Sequence, residues 1–89
     1  MISKTTQRFW RAFEELPDDV KKTAVRAYMR WRENPHHPSL QFKRISQRQP
    51  IFSVRIGIHY RALGLRDNDV VTWFWIGSHA DYDKLTRQL

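Results

Sequence analysis

At 89 residues the chain has room for one compact domain, 1–89, and its formal charge of +7 comes from 16 Lys or Arg against 9 Asp or Glu. Apolar residues make up 40%, with four Trp, three Tyr and five Phe, which supplies one core and excludes wholesale disorder. The absence of cysteine excludes a disulfide scaffold and any thiolate zinc site. No apolar run approaches the roughly 20 residues of a membrane span, and MISKTTQRFW lacks a secretory apolar stretch, so a cytoplasmic protein with no membrane partner is expected.

Phe9, Phe13 and Leu16 recur at helical spacing within residues 5–16, with Trp10 flanking the stripe. Pro17 then opens a second helix, and Asp18 and Asp19 suit the positive end of its dipole. Val20, Ala24, Ala27, Tyr28 and Trp31 form its apolar stripe, while Lys21, Lys22, Arg26, Arg30 and Arg32 fall elsewhere. Asn34-Pro35 ends it, because a residue before proline disfavours helix. From Leu40 the period changes to two. Leu40–Ile45 alternates as a strand, Ser46–Pro50 reads as a polar turn, and Phe52, Val54 and Ile56 oppose Ser53 and Arg55 in a second strand. Gly57–His59 turns into a third strand, Tyr60–Arg66, and Asp67-Asn68-Asp69 turns again. Val70–Ile76 is apolar on both faces, as in a strand covered on both sides. Ser78-His79-Ala80-Asp81 resembles a capping box, with Ser78 as cap and Asp81 reaching back, and opens a short helix over 79–88. These elements predict an α+β fold: a helical hairpin packed on one face of a twisted, mainly antiparallel sheet of three to four strands, closed by a short C-terminal helix.

The charge is unevenly placed. Lys21, Lys22, Arg26, Arg30, Arg32, Lys43, Arg44, Arg48, Arg55, Arg61 and Arg66 stand against Glu33 alone, so residues 20–66 carry +10. The other acids lie toward the two ends. Such a stretch implies a polyanionic partner, nucleic acid or an acidic protein segment, against the plain alternative of a solvated basic face. Gly57, Gly64 and Gly77 are too scattered for a phosphate loop, and the four histidines lack the spacing of a metal-ligand set, so no metal or other cofactor is expected.

The group with chemical potential is Arg55, Arg61, His79 and Tyr82. Arg55 alternates away from the apolar face, Arg61 begins the adjoining strand, and His79 and Tyr82 follow the last strand, where they can overhang the same surface. Two guanidinium groups near an imidazole and a phenol suit phosphodiester chemistry: the cations hold phosphate and the imidazole moves protons. Each member also has a plain alternative. Arg55 can be a solvated strand residue, Arg61 can pair with Asp67 or Asp83, His79 can simply start a helix, and Tyr82 can rest on Trp73 or Trp75.

FSVRIGIHYRALGLRD (52–67) followed by VVTWFWIGSHADYDKL (70–85), with ENPHHPSLQFKRI (33–45) before them, resembles the RelE/ParE superfamily of bacterial type II toxins. The resemblance covers roughly residues 8–85. It implies a microbial RNase-like fold and, in the RelE-like branch, metal-independent endoribonuclease cleavage of mRNA on the ribosome by 2′-hydroxyl attack on the neighbouring phosphate. It further implies a cognate acidic antitoxin and a toxin–antitoxin hetero-oligomer. On this resemblance Arg55 matches a basic sheet position, Arg61 the arginine on the scissile phosphate, His79 a C-terminal Arg or His, and Tyr82 more loosely a late tyrosine. Lys43, Arg44, Arg48 and Arg66 are the expected RNA-binding cations. Two departures stand out: Ser53 lies where well-known members have a second lysine, and Met1–Thr6 is short and polar where the family has its first strand. The ParE-like branch keeps the fold, inhibits DNA gyrase and is not catalytic, so the alternatives are a gyrase inhibitor or a degenerate RNA-binding member.

Overall fold

The computed structural model describes all of residues 1–89. Its first strand, β1 (Ile2–Thr5), runs into helix α1 (Gln7–Glu14), which Thr6 caps by accepting from the Phe9 N–H at 3.1 Å. Helix α2 (Asp18–Glu33) starts directly after Pro17 with Asp18 and Asp19 in its first turn. Asn34 leaves the helix in extended conformation, as the following Pro35 requires. Of the expected α2 stripe, Ala24, Ala27 and Trp31 are buried, whereas Tyr28 is exposed and stacks on Trp31 from outside. The two small alanines let the helix backbone approach the sheet closely.

A 3₁₀ turn (Pro38–Leu40) precedes β2 (Lys43–Arg44), so the strand expected over Leu40–Ile45 shrinks to two residues. Leu40 turns into the core and Gln41 takes a left-handed conformation at φ 45°, which breaks the alternation. Strands β3 (Ile51–Ile56), β4 (Tyr60–Asp67) and β5 (Val70–Ser78) then form the expected meander. Gly57 turns the first hairpin at φ 62°, and Asn68, a residue that tolerates left-handed backbone, turns the second at φ 54°. Helix α3 (His79–Thr86) begins where Ser78 accepts from the Asp81 N–H at 3.1 Å; the return bond of a full capping box is not formed.

The sheet has five strands in the order β1-β5-β4-β3-β2, rather than three to four. The fifth is β1, which pairs parallel to β5 from Ile2 opposite Val70 to Thr5 opposite Trp73. Its polar sequence conceals a strand because it lies at the sheet edge, where little of it is buried. One sheet face meets α1 and α2 through Val54, Ile56, Ala62, Val71, Trp73 and Ile76. Trp31 is 1% exposed at the centre of this layer and meets Trp73 edge-on at 5.4 Å. The other face carries a smaller cluster, Ile51, Leu63 and Tyr82, with Phe74 and Trp75 packed against it. No helix is long and apolar enough to cross a membrane.

A bulge divides β4 from β5: Leu63 pairs with Trp75 and Gly64 with Trp73, leaving Phe74 unpaired. Gly64 is required there by close approach, since a Cβ would come within 2.6 Å of Val71 Cγ1 and 2.9 Å of Trp73 Cε3. Both neighbours are buried and have little room to yield. Gly64→Ala is therefore expected to destabilise the fold by about 1–3 kcal/mol through overpacking, read from the midpoint of urea denaturation.

Candidate functional site

Arg61 stands near the start of β4, on the face opposite the helical hairpin, with Gly77 beside it on β5. Its side chain is folded under α3 and the loop before β2, leaving the residue 7% exposed. Neither Asp67 nor Asp83 pairs with it. Arg61 Nη2 donates to Gln41 Oε1 at 2.7 Å, Nη1 reaches Ser53 Oγ at 3.5 Å, and the buried Nε has no partner. The guanidinium carbon lies 5.4 Å from the centre of the Tyr82 ring. A guanidinium has more donors than two neutral acceptors can satisfy, so the group remains a cation without a counter-charge. Burying an ion costs on the order of several kcal/mol, which a cation–π contact of about 2 kcal/mol offsets only in part.

Tyr82 and His79 come from successive turns of one helix face. Tyr82 is buried against Ile51 and Leu63, so its ring is both core and support for Arg61. His79 is the first residue of α3, and its backbone N–H donates to the His59 carbonyl at 2.7 Å, tying the helix to the β3–β4 turn. Its ring is exposed and lies 5.5 Å from that of Tyr82. His79 Nδ1 is 3.2 Å from Asp83 Oδ2. An ionised carboxylate can only accept, so Nδ1 carries the hydrogen, and Nε2 of the neutral ring is the nitrogen free to take a proton.

Arg55 does not join this group. It sits directly opposite Arg61 across the β3–β4 ladder, but its Nε donates to the Gly57 carbonyl at 2.8 Å, and its side chain lines a cleft beside α2. Two like charges facing each other across a ladder repel, and the side chains diverge accordingly. Nor is the face it shares with Arg61 uncovered, since α3 packs on part of it.

The four expected RNA-binding cations also separate. Lys43 pairs with Ser53, which places it on the Arg61 face and exposed. Arg44 pairs with Phe52 and is bound to the Ser46 and Gln47 carbonyls, on the side of the helical hairpin. Arg66 is on that side too, 5.2 Å from the Phe52 ring centre. Arg48 is exposed in the β2–β3 turn.

Sequence reasoning missed Gln41 and treated Ser53 only as a lost lysine. Gln41 falls in a segment whose alternation suggests an ordinary strand, and only its left-handed backbone turns the amide toward Arg61. Ser53 is fully buried, where a lysine would put a second charge beside the first. The dual role of Tyr82 is testable: Tyr82→Ala is expected to cost about 3 kcal/mol of stability, while Tyr82→Phe keeps both the packing and the ring under Arg61 and stays near wild type in the same denaturant titration.

Comparisons with known proteins agree with this architecture. Residues 18–84 match the family described as the ParE-like toxin domain. A search of curated proteins gives no match. Among solved structures, a chain of the RelB–RelE antitoxin–toxin complex from Methanococcus jannaschii is similar at TM-score 0.73 and 12% identity, covering 92% of this chain and 96% of that one. The RelBE2 toxin–antitoxin complex from Mycobacterium tuberculosis aligns at TM-score 0.66 and 21% identity, over 88% and 96%. The isolated E. coli RelE toxin aligns at TM-score 0.64 and 14% identity, over 99% and 98%. At these identities the structures establish the fold, and the family match covers most of the chain: it belongs to the ParE-like toxin domain family, within the RelE/ParE superfamily of toxin–antitoxin toxins.

Proposed function

We propose that this toxin cleaves messenger RNA during translation and is silenced by an acidic antitoxin. The observation that carries the reading is Arg61: a buried cation held by neutral partners is completed by an anion from outside, and a phosphodiester fits its planar fork. In this reaction the 2′-hydroxyl oxygen attacks the adjacent phosphorus and the bond to the 5′-oxygen breaks. A 2′,3′-cyclic phosphate and a 5′-hydroxyl end result. Arg61 binds a non-bridging oxygen and stabilises the charge that builds on the phosphorane-like transition state. His79 Nε2 takes the hydroxyl proton while Asp83 fixes the ring through Nδ1, and the imidazolium returns a proton to the leaving oxygen. Tyr82 keeps the guanidinium in place. Lys43, exposed opposite Ser53, supplies the second cation where the resemblance expects a lysine at 53.

Two features support an antitoxin partner. The +10 stretch attracts an acidic chain, and a cavity of about 370 Å³ between α1, α2 and the sheet opens beside exposed Trp10, Val25 and Tyr28, which suit an apolar partner face. One observation favours a second reading, non-catalytic inhibition of DNA gyrase: Arg61 is so little exposed that substrate must displace Gln41 to reach it.

Induced expression followed by mapping of RNA 5′ ends separates the two. New 5′-hydroxyl ends in translated messages are expected, with Arg61→Ala lowering the cleavage rate roughly 10²–10³-fold. His79→Ala is expected to lower it by at least about 10²-fold. Intact messages accompanied by double-strand DNA breaks overturn the cleavage reading in favour of gyrase.

A further inference from the structure

Where the β3–β4 turn meets α2, a cleft of about 320 Å³ is lined by Thr23, Arg26 and Arg30 from α2, Ser39 from the 3₁₀ turn, and Arg55 and Gly57. Arg26 and Arg30 are four residues apart on one helix, so their charges share a face and repel. Each of the three arginines meets only a neutral acceptor: Arg26 Nη2 the Thr23 hydroxyl at 3.3 Å, Arg30 Nη1 the Ser39 hydroxyl at 3.2 Å, and Arg55 Nε the Gly57 carbonyl at 2.8 Å. The two ion pairs of the chain, the Met1 amino group with Asp69 and Lys21 with Glu14, include none of these residues, nor does the His79–Asp83 contact. Helix α2 thus carries an uncompensated pair of charges that a third cation from the sheet joins.

The position of Arg55 explains the meeting. Strand β2 pairs only with Phe52 and Ser53, so β3 has no strand neighbour on that side beyond Ser53, and the half-buried Arg55 side chain passes round this open edge to α2. Its backbone remains the direct cross-strand partner of Arg61. The cleft therefore begins one strand away from the Arg61 centre.

The geometry points to a phosphate subsite in this cleft, in which Arg26, Arg30 and Arg55 hold a backbone phosphate of single-stranded RNA away from the scissile bond. This rests on the reading of RNA as substrate. A strand is favoured over an isolated acidic side chain because it repeats its anions along its length, so RNA placed at Arg61 brings further phosphates to the cleft. The Thr23 and Ser39 hydroxyls add neutral donors and acceptors for the ribose.

The test is equilibrium binding of a 2′-O-methylated RNA of about ten nucleotides, which cannot be cut by 2′-hydroxyl attack, to the full chain over a range of salt. Arg26→Gln with Arg30→Gln is expected to weaken binding about tenfold near physiological salt and to lower the slope of log K against log salt by about 0.7, the share of one phosphate. Arg11→Gln with Arg32→Gln, which removes the same charge from exposed positions in the last turns of α1 and α2 outside the cleft, is expected to stay near wild type. Unchanged binding in the first pair overturns the subsite, as does an equal loss in the second, which signifies a diffuse field. Weaker binding of a glutamate-rich peptide with RNA binding intact overturns it in favour of a protein partner. Wild type that binds RNA with the expected slope but leaves unmodified messages whole overturns the cleavage reading alone. Wild type that cleaves while the cleft pair binds unchanged overturns the subsite alone.

Discussion

The Arg61 guanidinium gathers three separate parts of the chain around one charge. Gln41 reaches it from the connection between α2 and the sheet, Ser53 from the neighbouring strand, and Tyr82 from the closing helix. An aliphatic residue in its place would pack more cheaply, because none of these partners returns a full negative charge. The cost is borne in a fold whose larger hydrophobic layer, centred on Trp31 and Trp73, lies on the opposite side of the sheet. The larger packed layer and the buried guanidinium thereby lie on opposite faces of the sheet, while Arg44 and Arg66 stay on the hairpin side. Tyr82 belongs to both, a ring of the smaller core that is also the floor of the charged site.

The same division explains the uneven behaviour of the basic residues. Alternation along a strand decides which face each one joins, and a single step separates Lys43, on the Arg61 face, from Arg44, on the hairpin side. Net charge is blind to this. The +10 stretch contains Arg61, buried among uncharged partners, cations that meet beside α2, and others such as Arg66 that lie along an aromatic ring.

Much of this was legible in the residues. The helix ends at Pro17 and Asn34, the two hairpin turns and the Ser78 cap follow from local chemistry that the tertiary structure has no reason to override. Strand β1 was hidden because hydrophobic pattern reports burial, and an edge strand in parallel pairing can be formed almost wholly by backbone bonds. The strand at 40–45 was overestimated because period alone cannot register the left-handed turn at Gln41. For the expected group, Tyr82 lies against Arg61 and His79 against Tyr82, because a helix cap fixes their starting point next to β5. Arg55 did not, because the direction of a long side chain depends on which strand edge is left open.

Strand β1 also has a consequence in time. Its partner residues, Val70 to Trp73, are made some seventy positions later, so Ile2–Thr5 has no place in the sheet until Trp73 has been made. Contacts of such sequence separation form slowly and late. The meander from Ile51 to Ser78 is local by comparison and has its turns built in, so it can assemble before the parallel strand docks. Closing the sheet thus waits on the pairing of Ile2–Thr5 with Val70–Trp73, a step that the turns within the meander cannot hasten.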